Sequence, residues 1–184
     1  MPYDPDQVYR PEADTCLLLE AALLEVKPGD RVLEIGTGSG LISCEIAKTA
    51  SVIATDINPH AVLCARKTGV EVIRTDLFAG ICGVFDLVLF NPPYLPTQAE
   101  ERVDDWLEYA LDGGMTGRVV IERFASGVST ILSPRGRILL LVSSLTGLVE
   151  VQDFFSRMGF SSAIATQRTV EDEELSVLRI TRKR

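Results

Sequence analysis

The chain has 184 residues, 46% hydrophobic and 24% charged, which is enough for one globular domain with a sizeable core. Its net charge of −8 and pI near 4.7 argue against a phosphate backbone as the main partner, because non-specific nucleic-acid affinity is built from clustered Lys and Arg. No stretch reaches the roughly 20 apolar residues that span a bilayer, and "MPYDPDQVYR" lacks the apolar core of a signal peptide, so no membrane and a cytoplasmic location are expected.

In chain order, "DTCLLLEAALLEV" (14–26) predicts a buried or amphipathic helix ended by Pro28-Gly29. "RVLEIG" (31–36) is a short apolar run, "LISCEIAKTA" (41–50) has helical spacing, and "SVIATD" (51–56) is apolar again. Asn58 as N-cap and Pro59 at the first helical position open a helix toward Lys67. "VEVIRTD" and "VFDLVLF" supply a third and a fourth strand. Residues 116–132 look helical, 135–144 reads as a buried strand, and "GLVEVQDFFSRMGF" as a helix closed by Gly159. The last two stretches, "SSAIATQR" and "ELSVLRITRKR", predict a hairpin across an acidic loop.

Strands alternating with helices imply an α/β fold: a mostly parallel, seven-stranded, Rossmann-like sheet with helices on both faces, to which the C-terminal hairpin adds one antiparallel strand. One domain over 1–184 is expected, with an N-terminal segment and helix (1–30) ahead of a core (31–184). Cys16, Cys44, Cys64 and Cys82 are scattered, with no C-x-x-C pair and no clustered histidine, so they read as reduced core thiols and no metal site is expected. His60, in the first turn of a helix, reads as a surface residue. The acidic stretch 100–112 (Glu100, Glu101, Asp104, Asp105, Glu108, Asp112) reads first as a solvated loop or helix, with steering of a basic substrate as the other possibility.

The chemistry gathers at the strand ends. "LEIGTGSGL" opens a helix after the first strand, and Gly36, Gly38 and Gly40 allow a tight turn and close approach of a ligand. Asp56, twenty residues after Gly36, ends the second strand where a carboxylate can accept the hydrogen bonds of a ribose diol. These features also suit a nicotinamide-dependent dehydrogenase. The G-x-G-x-G spacing preceded by Glu34 argues against it, as does Asp76 beside Leu77 at the end of the third strand, placed to face an adenine amino group and pack on its ring.

Asn91-Pro92-Pro93-Tyr94 follows the fourth strand, where prolines without an amide donor replace a ladder. With Glu34-Ile-Gly-Thr-Gly-Ser-Gly40, Asp56 and Asp76-Leu77 it resembles the class I methyltransferases that use S-adenosylmethionine. The tetrapeptide narrows the resemblance to enzymes that methylate a planar, conjugated nitrogen, in adenine or in glutamine. Such a nitrogen is a poor nucleophile whose proton is too weakly acidic for a side-chain base to remove first. What helps is a pair of acceptors, the Asn91 side-chain oxygen and the Pro92 carbonyl, that bind both N–H groups and turn the lone pair toward the methyl. Tyr94 offers an aromatic face to the flat group and the sulfonium region.

"VYRPEADT" (8–15) resembles the N-terminal segment of the short HemK-like release-factor glutamine methyltransferases of archaeal and eukaryotic type, through Val8, Tyr9, Pro11, Asp14 and Thr15. It departs at Ala13, where that family has glutamate, and Glu12 stands one position early. "LDGGMTGRVVIERF" (111–124) resembles the family's Gly-Gly-x-x-Gly segment. The resemblance implies methylation of N5 of the glutamine in the Gly-Gly-Gln motif of a class 1 translation release factor. It places Tyr9 and Thr15 over the cofactor, Glu34, Gly36, Gly38, Asp56, Ile57, Asp76, Leu77 and Asn91 around it, and Asn91, Pro92, Pro93 and Tyr94 at the substrate. It also implies a small zinc-binding activator subunit added to the sheet edge formed by "GVEVIRTD", with Phe78, Ile81 and Cys82 nearby as contacts or simply as core. Adenine N6 methylation of RNA or DNA, protein lysine methylation, and an idle subunit that binds cofactor and holds a partner remain as alternatives.

Overall fold

The computed structural model describes residues 3–98 and 105–183. Its elements, after a short 3-10 turn at Pro5–Gln7, are α1 (Ala13–Glu25), β1 (Arg31–Ile35), α2 (Leu41–Ile46), β2 (Ser51–Asp56), α3 (Pro59–Arg66), β3 (Glu71–Arg74), β4 (Phe85–Phe90), α4 (Val119–Gly127), β5 (Leu132–Ser143), α5 (Leu148–Arg157), β6 (Phe160–Val170) and β7 (Glu173–Arg182). The strands form a seven-stranded sheet of order β3-β2-β1-β4-β5-β7-β6. Strands β1 to β5 pair in parallel, and β7 runs antiparallel to both β5 and β6, as the hairpin predicts.

The apolar runs are continuous because the sheet is buried on both faces. Successive side chains point to opposite sides. Leu33 and Ile35 of β1, Val88 and Phe90 of β4, and Ile138 and Leu140 of β5 join Phe124 and Phe155 from α4 and α5 in one core. Val32, Leu87, Leu89, Leu139 and Leu141, their alternates, join Leu17 and Leu18 of α1 and Ile42 of α2 in the other.

Two helices are shorter than their patterns predict. α2 stops at Ile46, and α4 begins at Val119 because Gly117 has φ +68° and cannot belong to a right-handed helix; after Gly127 the chain tightens into a 3-10 turn. α3 opens as predicted, with the Asn58 side chain accepting from His60 N at 2.8 Å and Pro59 following. His60 is not on the surface: it is 4% exposed, and its Nδ1 accepts a hydrogen bond from Asp4 N at 2.9 Å. Asn58 Nδ2 donates to Gln7 O at 2.7 Å, so the segment of the 3-10 turn at Pro5–Gln7 is tied to the start of α3. The four cysteines are free, and only Cys44 and Cys64 are partly buried; Cys16 and Cys82 are exposed, so the expectation of core thiols fails for those two. Cys16 lies on the exposed side of α1 and Cys82 in the loop between β3 and β4. Among the described residues no cluster of His, Cys, Asp and Glu could hold a metal ion, and no helix is long and apolar enough to cross a membrane.

The chain runs outward from β1 through β2 to β3, then returns to place β4 and β5 on the other side of β1. The crevice beyond the carboxyl ends of β1 and β4 is therefore the point where strand order reverses, the usual ligand position in such sheets.

Candidate active site

A cavity of about 1100 Å³ opens at that crevice and is lined by every residue the sequence places in the cofactor and substrate sites. It exceeds the usual size of a small-molecule pocket, which leaves room for a nucleoside and a second reactant together.

The loop after β1 forms its floor. Gly36, Gly38 and Gly40 all have positive φ (65°, 53° and 83°). Gly40 is the demanding one: a Cβ there would lie 2.8 Å from both Cα and Cβ of Ala65, so glycine lets α2 start against α3. Glu34 holds the loop from beneath. Its Oε2 accepts from Thr37 Oγ1 at 2.7 Å and from Ser43 Oγ, and the side chain is buried. Burial pushes its carboxyl up to about 7, against the opposing hydrogen bonds from Ser43 and Thr37.

That shift carries a sign for stability. The folded state retains the Glu34 proton up to about 7 while the unfolded chain releases it near 4.5, so folding stability falls as pH rises through this window, by about 3 kcal/mol at most. Asp56, pushed up chiefly by burial, acts in the same direction. We expect denaturant unfolding to show this loss between about pH 4.5 and pH 7. Glu34→Gln, which cannot ionise, should reduce it; an unchanged slope in the variant would assign the pH dependence to other groups.

Asp56 sits 8% exposed at the end of β2. Its Oδ2 accepts from Gly38 N at 2.8 Å and its Oδ1 from Asn58 N at 2.9 Å, so it ties the glycine loop to α3 while each oxygen keeps a further lone pair. Ile57 follows, half-buried, on the cavity wall. Asp76 lies two residues beyond β3, its Oδ2 2.6 Å from Arg123 Nη2, an exposed pair worth little on its own. Leu77, at φ 51°, is held by Thr55 Oγ1 donating to its carbonyl at 3.1 Å.

The substrate end begins where the β4 ladder stops, at the pairs Ile35↔Phe90 and Phe90↔Leu140. Asn91 Nδ2 donates to Asp14 Oδ2 at 3.1 Å, while Asn91 Oδ1 is buried and has no hydrogen-bond partner among the described residues. Pro92 is buried and Pro93 half-buried beside it. Tyr94 donates to Asp14 at 3.4 Å, and Tyr9 donates to the same oxygen at 3.1 Å. Burial and the neighbouring Asp14 carboxylate push both phenols well above their ordinary range, so they remain donors at any working pH.

The glycine segment explains itself here. Leu95 N donates to Leu111 O, and Gly113 N to Leu95 O, each at 2.9 Å. A Cβ on Gly117 would lie 2.5 Å from the Tyr94 carbonyl, so only glycine lets this segment clamp the loop that follows Tyr94.

Of the acidic stretch, Glu100, Glu101 and Asp104 lie outside the described residues. Asp105 caps the turn at Glu108, accepting from its N at 2.9 Å, and Asp112 accepts from Gly114 N at 2.7 Å. Glu108 departs from the solvated reading: both carboxylate oxygens are buried on the cavity wall with no hydrogen-bond partner among the described residues. Sequence reasoning missed Trp106, whose N donates to Gln7 Oε1 at 2.9 Å, and it gave Asp14 no role. Asp14 stood in the matched segment, yet its partners Asn91 and Tyr94 are 77 and 80 residues away, beyond any local signal.

A Rossmann-like sheet with one antiparallel strand, a glycine loop after β1, carboxylates after β2 and β3 and an Asn-Pro-Pro-Tyr exit from β4 defines a class I methyltransferase, the class that uses S-adenosylmethionine as methyl donor. The comparisons with known proteins agree. Residues 10–108 match the family described as "Methyltransferase small domain". The chain is 41% identical to a Methanocaldococcus jannaschii protein named "Putative protein N5-glutamine methyltransferase", over 94% of this chain and 90% of that one. It is 35% identical to the human methyltransferase HEMK2, over 95% and 90%. Among solved structures, the Encephalitozoon cuniculi ("E. cuniculi") Mtq2–Trm112 complex, responsible for methylating the translation termination factor eRF1, superposes with a TM-score of 0.82 at 31% identity, over 96% of this chain and 99% of that one. A ribosomal protein L11 methylase from Lactobacillus delbrueckii shares the fold, with a TM-score of 0.72 at 20% identity. The chain belongs to the methyltransferase small domain family and, within it, to the short archaeal and eukaryotic type of protein N5-glutamine methyltransferase.

Proposed function

We propose that this protein methylates N5 of the glutamine in the Gly-Gly-Gln motif of a class 1 translation release factor. The carrying observation is Asn91 Oδ1: a buried, unpartnered acceptor at the cavity end of β4. A buried acceptor without a partner costs about 1–3 kcal/mol, and a substrate N–H recovers it. The same orphaned oxygen and the glycine-lined floor are what a nucleoside methyl donor beside a planar amide requires.

Bound S-adenosylmethionine supplies an electrophilic methyl group on a sulfonium. Tyr9, Thr15, Glu34, Gly36, Gly38, Asp56, Ile57, Asp76 and Leu77 are the residues that hold it. Asn91 Oδ1 and the Pro92 carbonyl accept the two N–H groups of the glutamine amide and turn its lone pair toward the methyl. The prolines keep that carbonyl out of the sheet. Tyr94 packs on the flat group. A lysine substrate would first have to lose a proton. His60, the chain's single histidine, is buried and occupied by Asp4 N, which favours the amide over the amine.

The partner reading extends from the neighbour solved as a complex with Trm112. A small zinc-binding activator subunit is the partner we assign, docked by strand addition. β3 is the terminal strand of the sheet, the position that strand addition uses. Phe78 and Ile81 pack against the core, with Phe78 6.1 Å from the Phe124 ring, so their exposed remainders and Cys82 are what is left for contact. Function in translation places the protein in the cytoplasm.

With labelled S-adenosylmethionine, a release-factor fragment should take up label, more so with the activator present, and changing the Gly-Gly-Gln glutamine to alanine should abolish it. Label that persists in the altered fragment, or that appears in RNA or DNA instead, would overturn this assignment.

A further inference from the structure

Asp14 is 3% exposed at the start of α1, where the positive end of the helix favours a carboxylate. Its Oδ1 accepts from Thr15 N and, at 3.1 Å, from Thr15 Oγ1. Its Oδ2 accepts from Tyr9 Oη and from Asn91 Nδ2, both at 3.1 Å, and from Tyr94 Oη at 3.4 Å. One buried side chain thus meets residues assigned to the cofactor and residues assigned to the substrate.

A carboxylate only accepts hydrogen bonds, whereas an asparagine amide has a donating end and an accepting end. Asp14 therefore decides which end of Asn91 faces it. The NH2 is held on Asp14, and Oδ1 is left as the orphaned acceptor on the cavity side. Rotated by half a turn, Asn91 would present NH2 to the substrate's own NH2, donor against donor, and would set Oδ1 against the carboxylate. The bond also polarises the amide: a charged acceptor on Nδ2–H draws electron density toward Oδ1 and makes it a stronger acceptor. When the nitrogen takes the methyl, the electron pair of the broken C–S bond would stay on the donor's sulfur and the nitrogen would be positively charged until it sheds one N–H proton to water; the strengthened acceptor and the negative charge behind it stabilise that charge.

We propose that Asp14 is a positioning residue for methyl transfer, acting through Asn91 by fixing its amide orientation and raising the acceptor strength of Oδ1. The proposal rests on the reading of Asn91 as the acceptor for the substrate amide. The experiment separates the two. Wild-type protein, with activator where needed, is first assayed on the release-factor fragment; absence of label there defeats the functional reading and never reaches Asp14. Given wild-type activity, four chains are compared: Asp14→Asn, Asn91→Asp, the double exchange of both, and Asp14→Ala. Thermal unfolding and calorimetric titration with S-adenosylhomocysteine control for fold and cofactor binding.

Asp14→Asn is nearly isosteric and should lower kcat at saturating cofactor and substrate by about 10- to 100-fold, with cofactor Kd changed by only about threefold. The double exchange restores a donor–acceptor pair between the two positions, so its kcat should exceed the product of the two single effects by about tenfold or more. A residue that merely supports the fold would lower stability and kcat without this coupling. Single effects that simply multiply in the double exchange, or a kcat untouched in Asp14→Asn, would overturn the proposal. If Asp14→Asn does not fold, Asp14→Ala and the double exchange decide: activity in the exchange above that of Asp14→Ala supports the proposal, and activity no higher than it overturns the proposal.

Discussion

Replacing Asn91 with alanine should lower kcat by about 100- to 1000-fold, the usual cost of removing one preorganised group that stabilises a transition state. The variant loses the buried Oδ1 acceptor, so a glutamine amide keeps only the Pro92 carbonyl and its lone pair is no longer turned toward the methyl. Cofactor affinity should fall far less, because the glycine loop, Asp56 and Leu77 are untouched. The variant also strips one donor from Asp14, whose Oδ2 keeps the Tyr9 and Tyr94 hydroxyls, but it removes the unpartnered Oδ1 as well, so stability should change by no more than about 1 kcal/mol. Single-turnover transfer to the release-factor fragment, beside calorimetric titration with S-adenosylhomocysteine, reads both effects. Equal losses in transfer and in cofactor binding would show that Asn91 mainly holds the cofactor.

The second large effect lies at the opposite end of the sheet and concerns stability alone. Arg137 begins the buried part of β5, and its side chain is only 6% exposed. Its Nη2 is 2.7 Å from Asp30 Oδ2 and also donates to Glu25 O; its Nε lies 3.2 Å from Glu25 Oε2, and Nη1 donates to Asp86 O at 3.0 Å. One guanidinium thus ties the end of α1, the start of β1 and the start of β4 to β5. Removing one partner of such a buried network leaves uncompensated charge, so Arg137→Ala should cost about 3–5 kcal/mol in denaturant unfolding. Arg179, 2.7 Å from Glu25, relieves part of the loss at Glu25 but makes no bond with Asp30. Arg137→Lys should recover little, since an ammonium cannot serve three elements from one planar fork. The site lies at the other strand ends, so transfer per folded molecule should be unchanged. A loss below about 1 kcal/mol would mean that water satisfies the two carboxylates in place of the arginine.

Much of the fold and part of the site are legible along the chain because they follow from local rules. An apolar run with period 2 is buried on both faces wherever a parallel sheet is covered by helices, and "FDLVLF" and "RILLLV" divide alternate residues between two cores as that rule requires. Asn58-Pro59 starts α3 by its local chemistry, the asparagine side chain capping His60 N and the proline bringing no amide donor to the first turn. Proline cannot donate to a ladder, so Asn91-Pro92-Pro93 ends β4 and leaves a polar group at its mouth. The residues misread or overlooked are those whose environment comes from a distant segment. His60 looks exposed on its own helix and is buried only because Asp4, 56 residues earlier, folds over it. Trp106 meets Gln7 across 99 residues. The sequence by itself determined the order of elements, the sheet class, the glycine loop and the chemical kind of nitrogen the site can face, since each depends on backbone freedom or on donor and acceptor inventory within a few residues. Only the tertiary structure decided which way the Asn91 amide points, because that choice is made by a carboxylate 77 residues upstream, brought to it when α1 packs along one face of the sheet with its first turn at the carboxyl end of β4.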